Sequence, residues 1–154
     1  MSTQLALKST PLFVMAAWAV MAIGVVAYLI GLLNAPMELN EKGYYFAVIM
    51  YSLYAAISVQ KSVRDRAEGL PVNQSYYLLS IVSVFISVGL LVIGLFNAEL
   101  LLSEKGFFGI AYLMSLFAAI TVQKNVRDNE LFNQHQSFDS QVDETAREDE
   151  NEAS

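Results

Sequence analysis

Two acidic–basic triplets recur at matching places in this chain, Glu41-Lys42-Gly43 and Glu104-Lys105-Gly106. Two carboxylates meeting across a two-fold could ligate a cation. The plainer alternative is a solvated helix cap with a local ion pair, worth little at an exposed site. A second pair of polar blocks, Gln60-Lys61-Ser62-Val63-Arg64-Asp65 and Gln123-Lys124-Asn125-Val126-Arg127-Asp128, offers Lys61, Arg64, Lys124 and Arg127 to anionic headgroups or to a docking partner. Lys61 and Asp65 are four apart, as are Lys124 and Asp128, so each pair can meet on one helix face. Ser52 and Ala56, and Ala111, Ser115 and Ala119, set small residues one turn apart. Such stripes let helix backbones approach closely where lipid gives no hydrophobic drive to associate. Their first use is helix packing, within a bundle or between subunits; lining a pore is the lesser reading.

Other chemistry is thin. The chain has no cysteine and one histidine, His135, which leaves no ligand set for zinc, haem or an iron–sulfur cluster and no thiol nucleophile. No nucleophile–base pair and no phosphate-cradling loop is present, so neither catalysis nor a cofactor is expected. Coupled transporters place an ionisable residue inside a span despite an insertion cost of about 2.5–3.5 kcal/mol. Here Asp, Glu, Lys, Arg and His are all absent from residues 9–37, 43–60, 69–98 and 106–123.

The elements that carry these residues form a duplication. Residues 31–65 and 94–128 align without a gap at an offset of 63 and agree at 19 of 35 positions. Each copy is an apolar run ending at Asn-Ala, a short charged turn, a second apolar run and a basic exit. The run 12–33 is 22 uncharged residues, about 33 Å as a helix against a hydrocarbon core of about 30 Å. It exceeds the apolar core of a signal peptide, about 7–15 residues. Further spans are expected at 43–60, 75–96 and 106–123, which makes an all-α membrane protein of four transmembrane helices in two tandem hairpins. Pro36 suits the first turn, and Asn40 and Ser103 are candidate N-caps, with Glu41 and Glu104 at the positive helix end. The aromatic pairs Tyr44-Tyr45, Phe107-Phe108 and Tyr76-Tyr77 read as anchors at the membrane–water boundary.

Hydrophobic residues make up 55% of the chain and charged ones 16%, far from the soluble balance of roughly 45–50% and about 25%. The net charge of −6 belongs to the end of the chain. From Asn129 on, eight acidic residues face Arg147 alone, while residues 1–128 carry eight basic and seven acidic residues. No basic patch suits nucleic acid. Residues 129–154 are polar and acidic and are expected to form a disordered tail, and residues 1–11 a short cytoplasmic lead. Four spans put both termini on one side, with Lys8, Lys61, Arg64, Arg66, Lys124, Arg127 and Arg147, leaving Lys42 and Lys105 opposite. The positive-inside rule makes that first side cytoplasmic. Two repeats of equal orientation imply a pseudo-two-fold along the membrane normal.

The repeated Gly-Leu-x-Asn-Ala, Glu-Lys-Gly-aromatic-aromatic and Gln-Lys-x-Val-Arg-Asp blocks resemble the YiaA/YiaB two-helix domain family over about residues 12–128. The resemblance implies a multi-pass protein of the bacterial inner (cytoplasmic) membrane and brings no catalytic or binding residues. The expected role is therefore non-enzymatic, in the lipid bilayer, through association with itself or with another membrane protein as an accessory subunit or homo-oligomer. Two alternatives remain: a passive channel or transporter formed by an oligomer, and a lipid-organising or stress-response role.

Overall fold

A computed structural model describes residues 9–152 of the chain. Among the described residues the regular elements are four helices, α1 (Pro11–Asn34), α2 (Leu39–Ala67), α3 (Gln74–Asn97) and α4 (Leu102–Glu152). All four contain a stretch long and apolar enough to cross a membrane. Lys8 and most of the lead expected at residues 1–11 lie outside the described residues.

Local chemistry sets the helix limits. Pro11 occupies the first turn of α1, where its missing N–H costs nothing. Both apolar runs end alike: Asn34 Nδ2 donates to Ile30 O and Asn97 Nδ2 to Ile93 O, each at 2.8 Å. Helix α2 ends in a Schellman arrangement, with Leu70 N–H donating to Asp65 O and Gly69 N–H to Arg66 O. That closure needs a left-handed residue, and Gly69 supplies it at φ 72°. Asn73 then caps α3 by accepting from the N–H groups of Ser75 and Tyr76.

Three expectations need correction here. Asn40 and Ser103 are not the N-caps, because α2 and α4 already begin at Leu39 and Leu102, two residues earlier than such caps would allow. The caps are Glu38 and Leu101, whose backbone N–H groups donate to Glu41 Oε2 and Glu104 Oε2 at 2.9 and 2.8 Å. This is the reciprocal half of a capping box. The acidic tail is not a separate disordered segment, since α4 continues through it to Glu152. Helix nucleation is the unfavourable step and extension is nearly free. A segment without Gly or Pro therefore prolongs a helix already nucleated by packing. Finally, the aromatic pairs are not all boundary anchors. Tyr45 and Phe108 are buried in the core, whereas Tyr44 and Phe107 stay part-exposed.

The two helices of each hairpin are not each other's main neighbours. Instead α1 packs chiefly on α4, α2 on α3, and α2 meets α4 across the centre. The two hairpins are thus interlocked, not side by side. Helices α2 and α4 bury continuous stripes, from Tyr45 through Ser52 to Ala56 and from Phe108 through Ser115 to Val122. The outer helices bury little: Ala17, Gly24, Tyr28 and Leu32 on α1, and Ser80, Ser87 and Leu91 on α3. Their other faces expose residues such as Leu12, Phe85 and Phe96. Water-soluble monomers do not carry an apolar exterior of this extent.

Candidate functional site

The close contacts of the bundle come in pairs related by the repeat. A Cβ on Gly31 would lie 2.5 Å from Cε1 of Phe107, and one on Gly94 would lie 2.7 Å from Cε1 of Tyr44. Gly31 and Gly94 are equivalent positions, as are Tyr44 and Phe107. At mid-height a Cβ on Gly24 would come within 2.7 Å of Ser115 Oγ and 3.1 Å of its backbone N. Glycine is what lets α1 and α4 approach here.

The five residues of the small stripes, Ser52, Ala56, Ala111, Ser115 and Ala119, are all buried within the chain. Their hydroxyls donate back along their own helices, Ser52 Oγ to Val48 O and Ser115 Oγ to Ala111 O, both at 2.7 Å. The Tyr112 hydroxyl adds a cross-link: it hydrogen-bonds Ser52 Oγ and reaches Ser87 Oγ at 3.4 Å, tying α4 to α2 and α3. Tyr28 O–H donates to Tyr45 O at 3.0 Å, tying α1 to α2. These interhelical bonds escaped the reading of the sequence. A usable signal was the heptad-like stripe 45, 48, 49, 52, 55, 56 and its copy at 108–122, which puts Tyr112 on the buried face.

At the turn end, the acidic–basic triplets act on backbone rather than on each other. Glu41 and Glu104 hold the helix starts, while Lys42 Nζ donates to Leu33 O at 2.8 Å and Lys105 Nζ to Phe96 O at 3.3 Å. The lysines thus neutralise the C-terminal carbonyls of the preceding helices. Asn40 and Ser103 are exposed on two shallow clefts of about 270 and 310 Å³. One is lined by Asn40, Glu41, Tyr44, Tyr45, Gly94 and Asn97, and the other by the repeat equivalents of those six residues. Among the described residues, no group of three or more His, Asp or Glu could hold a metal ion.

At the opposite end, the basic exits meet. Gln60, Lys61 and Arg64 of α2 and Gln123 and Arg127 of α4 line one cavity of about 220 Å³. Lys124 is exposed and does not line it. The expected Lys–Asp pairs are replaced by contacts with the nearer arginines. Arg64 Nε lies 3.5 Å from Asp65 Oδ1, and Arg127 Nη2 lies 3.3 Å from Asp128 Oδ1. Each carboxylate is reached by the arginine next to it in the chain and not by the lysine four residues back.

The family described as "yiaA/B two helix domain" matches the chain twice, over residues 13–65 and 76–128. The chain belongs to this family. It is 54% identical over 119 residues to "Inner membrane protein YiaA" of Escherichia coli (strain K12), covering 77% of this chain and 82% of that protein. It is 45% identical over 62 residues to "Uncharacterized membrane protein YubF" of Bacillus subtilis (strain 168), covering 40% of this chain and 71% of that one. No solved structure matches. Each yiaA/B segment takes in one hairpin, one small-residue stripe and one basic exit. The α4 extension beyond Asp128 lies outside both yiaA/B segments.

Proposed function

We propose that this yiaA/B protein is a non-enzymatic four-span component of the bacterial inner membrane that acts by contact with other proteins, as an accessory subunit or in a homo-oligomer. Both termini are cytoplasmic in this reading. The observation that carries it is the division of labour in the bundle. The small stripes and interior hydroxyls are consumed by intrachain packing. The surfaces left for a partner are the outer helix faces and the part of α4 past Asp128. That part runs about 36 Å at 1.5 Å per residue and exposes Phe138 and Val142 on one face. Orientation is supported by the basic exits, which gather at the end from which α4 emerges. A bundle centre filled by Tyr28, Tyr45, Phe108 and Tyr112 means that any passive pore would have to run between chains.

The test is photocrosslinking in native membranes from Phe138, Val142 and Phe85, each replaced singly by a photoreactive residue. A recurrent protein adduct, to a second copy or to a foreign partner, supports the reading. Lipid adducts alone from all three positions overturn it.

A further inference from the structure

We propose that the cavity between the two basic exits is a binding site for one phosphate-type anionic group. The inference goes beyond the protein-contact role and does not depend on it. Three cationic side chains, Lys61, Arg64 and Arg127, converge on the cavity with the amides of Gln60 and Gln123, and no carboxylate lines it. The two halves of the lining come from equivalent positions of the repeats, Gln60 with Gln123 and Arg64 with Arg127, so the site straddles the pseudo-two-fold. Its volume of about 220 Å³ falls below the roughly 300–1,000 Å³ of small-molecule sites. That suits a single compact anion, not an extended ligand.

The neighbouring acids leave donors available. Arg64 contacts Asp65, Glu68 and Glu130 only at 3.5–3.8 Å, while Arg127 donates from Nε and Nη2 to Asp128 Oδ1 in two long hydrogen bonds of 3.3 Å, which leave its Nη1 uncommitted. A charge-assisted N–H···O bond settles at about 2.7–2.9 Å, so these pairs are loose. Arg64 Nε is buried and makes no hydrogen bond, a donor that normally finds an acceptor. Lys61 is exposed and forms no ion pair among the described residues. The cavity also sits where α2 and α4 leave their uncharged stretches, at residues 57–64 and 123–127. An anion there can come from a lipid headgroup or as free phosphate.

The test uses the full chain in nanodiscs and two probes: inorganic phosphate added to purely zwitterionic discs, and discs in which a fraction of the lipid is phosphatidylglycerol. Binding is read by calorimetry for phosphate and by retained lipid in native mass spectrometry for the second. The double variant K61Q/R127Q should weaken binding of the probe by at least about tenfold, since one lost charge-assisted hydrogen bond already accounts for that much. R66Q is the control, a cation at the same end that lies over the Tyr77 ring at 4.7 Å and does not line the cavity. Saturable phosphate binding assigns the site to a free anion, and selective retention of phosphatidylglycerol assigns it to a headgroup. Equal losses in K61Q/R127Q and R66Q, or no binding of either probe, overturn the proposal. Should the double variant lose its helical signal, K61Q alone carries the same comparison.

Discussion

Tyr45 and Phe108, equivalent residues of the two repeats, stack on one another with ring centroids 6.1 Å apart and planes 21° apart. Tyr28 meets the Phe108 ring edge-on at 5.4 Å, and Tyr44 and Phe107 each meet their stacked neighbours edge-on at 5.3 and 5.7 Å. Aromatic pairs of this kind contribute about 0.5–1.5 kcal/mol each beyond area burial. The centre where α2 crosses α4 is therefore an aromatic cluster at the turn end, followed by a ladder of small residues toward the basic end.

Glycine substitutions should separate by position. Gly24→Ala places a methyl against Ser115 Oγ and its backbone, and backbone does not rotate away. Overpacking of this kind costs about 1–3 kcal/mol. Gly43→Ala meets nothing within 4 Å and should be neutral or stabilising by up to about 1 kcal/mol, because alanine loses less freedom on entering a helix. Thermal unfolding of both variants in one detergent checks the sign of each.

Tyr112→Phe deletes the hydroxyl that joins Ser52 to Ser87. Neither serine is orphaned, since Ser52 keeps Val48 O and Ser87 keeps Val84 O. The loss should be small, about 0.6–1 kcal/mol. Tyr112→Ala also empties the ring's volume and should cost several times more, about 3–5 kcal/mol. Unfolding of the two variants in the same detergent compares them directly. Equal losses would mean that the hydroxyl, and not the packing of the ring, holds this part of α4 in place.

Gly69→Ala forces a left-handed conformation on a residue with a Cβ, at about 1–2 kcal/mol. The penalty is local to the connection between α2 and α3. We expect faster proteolytic nicking between residues 66 and 73 and only a modest fall in the melting temperature.

The chain has no cysteine, so single introduced thiols report orientation cleanly. With both ends cytoplasmic, Asn40→Cys should react with an impermeant maleimide in cells whose outer membrane alone is opened. Ser137→Cys should react only after the inner membrane is breached. The reverse pattern would invert the proposed topology.

The helical spans were readable because charge is absent from them and crowded into the turns, which leaves little else that such stretches can form. The limits at the turns were harder. Cap preference drew attention to Asn40 and Ser103, whereas the register is set by Glu41 and Glu104 reaching back three residues to whatever sits there, including Leu101. The course of residues 129–152 was missed because composition measures the ability to bury surface, and a helix that continues from a packed one needs no burial of its own. Which helices pair was not visible in the repeat, because duplication says what is alike and not what touches. Gly24, Gly31 and Gly94 held that information: a glycine within an apolar helix often marks where another backbone or ring comes close.

The interlocking of the hairpins gives the short connection after α2 an unexpected role. Because α1 rests on α4 and α3 on α2, neither repeat alone completes its own interior, and each supplies the surface the other lacks. The connection through Gly69 therefore behaves as a tether that keeps two complementary halves at high effective concentration. Cut there, the protein should persist as a two-fragment complex, in which each hairpin is the other's folding partner.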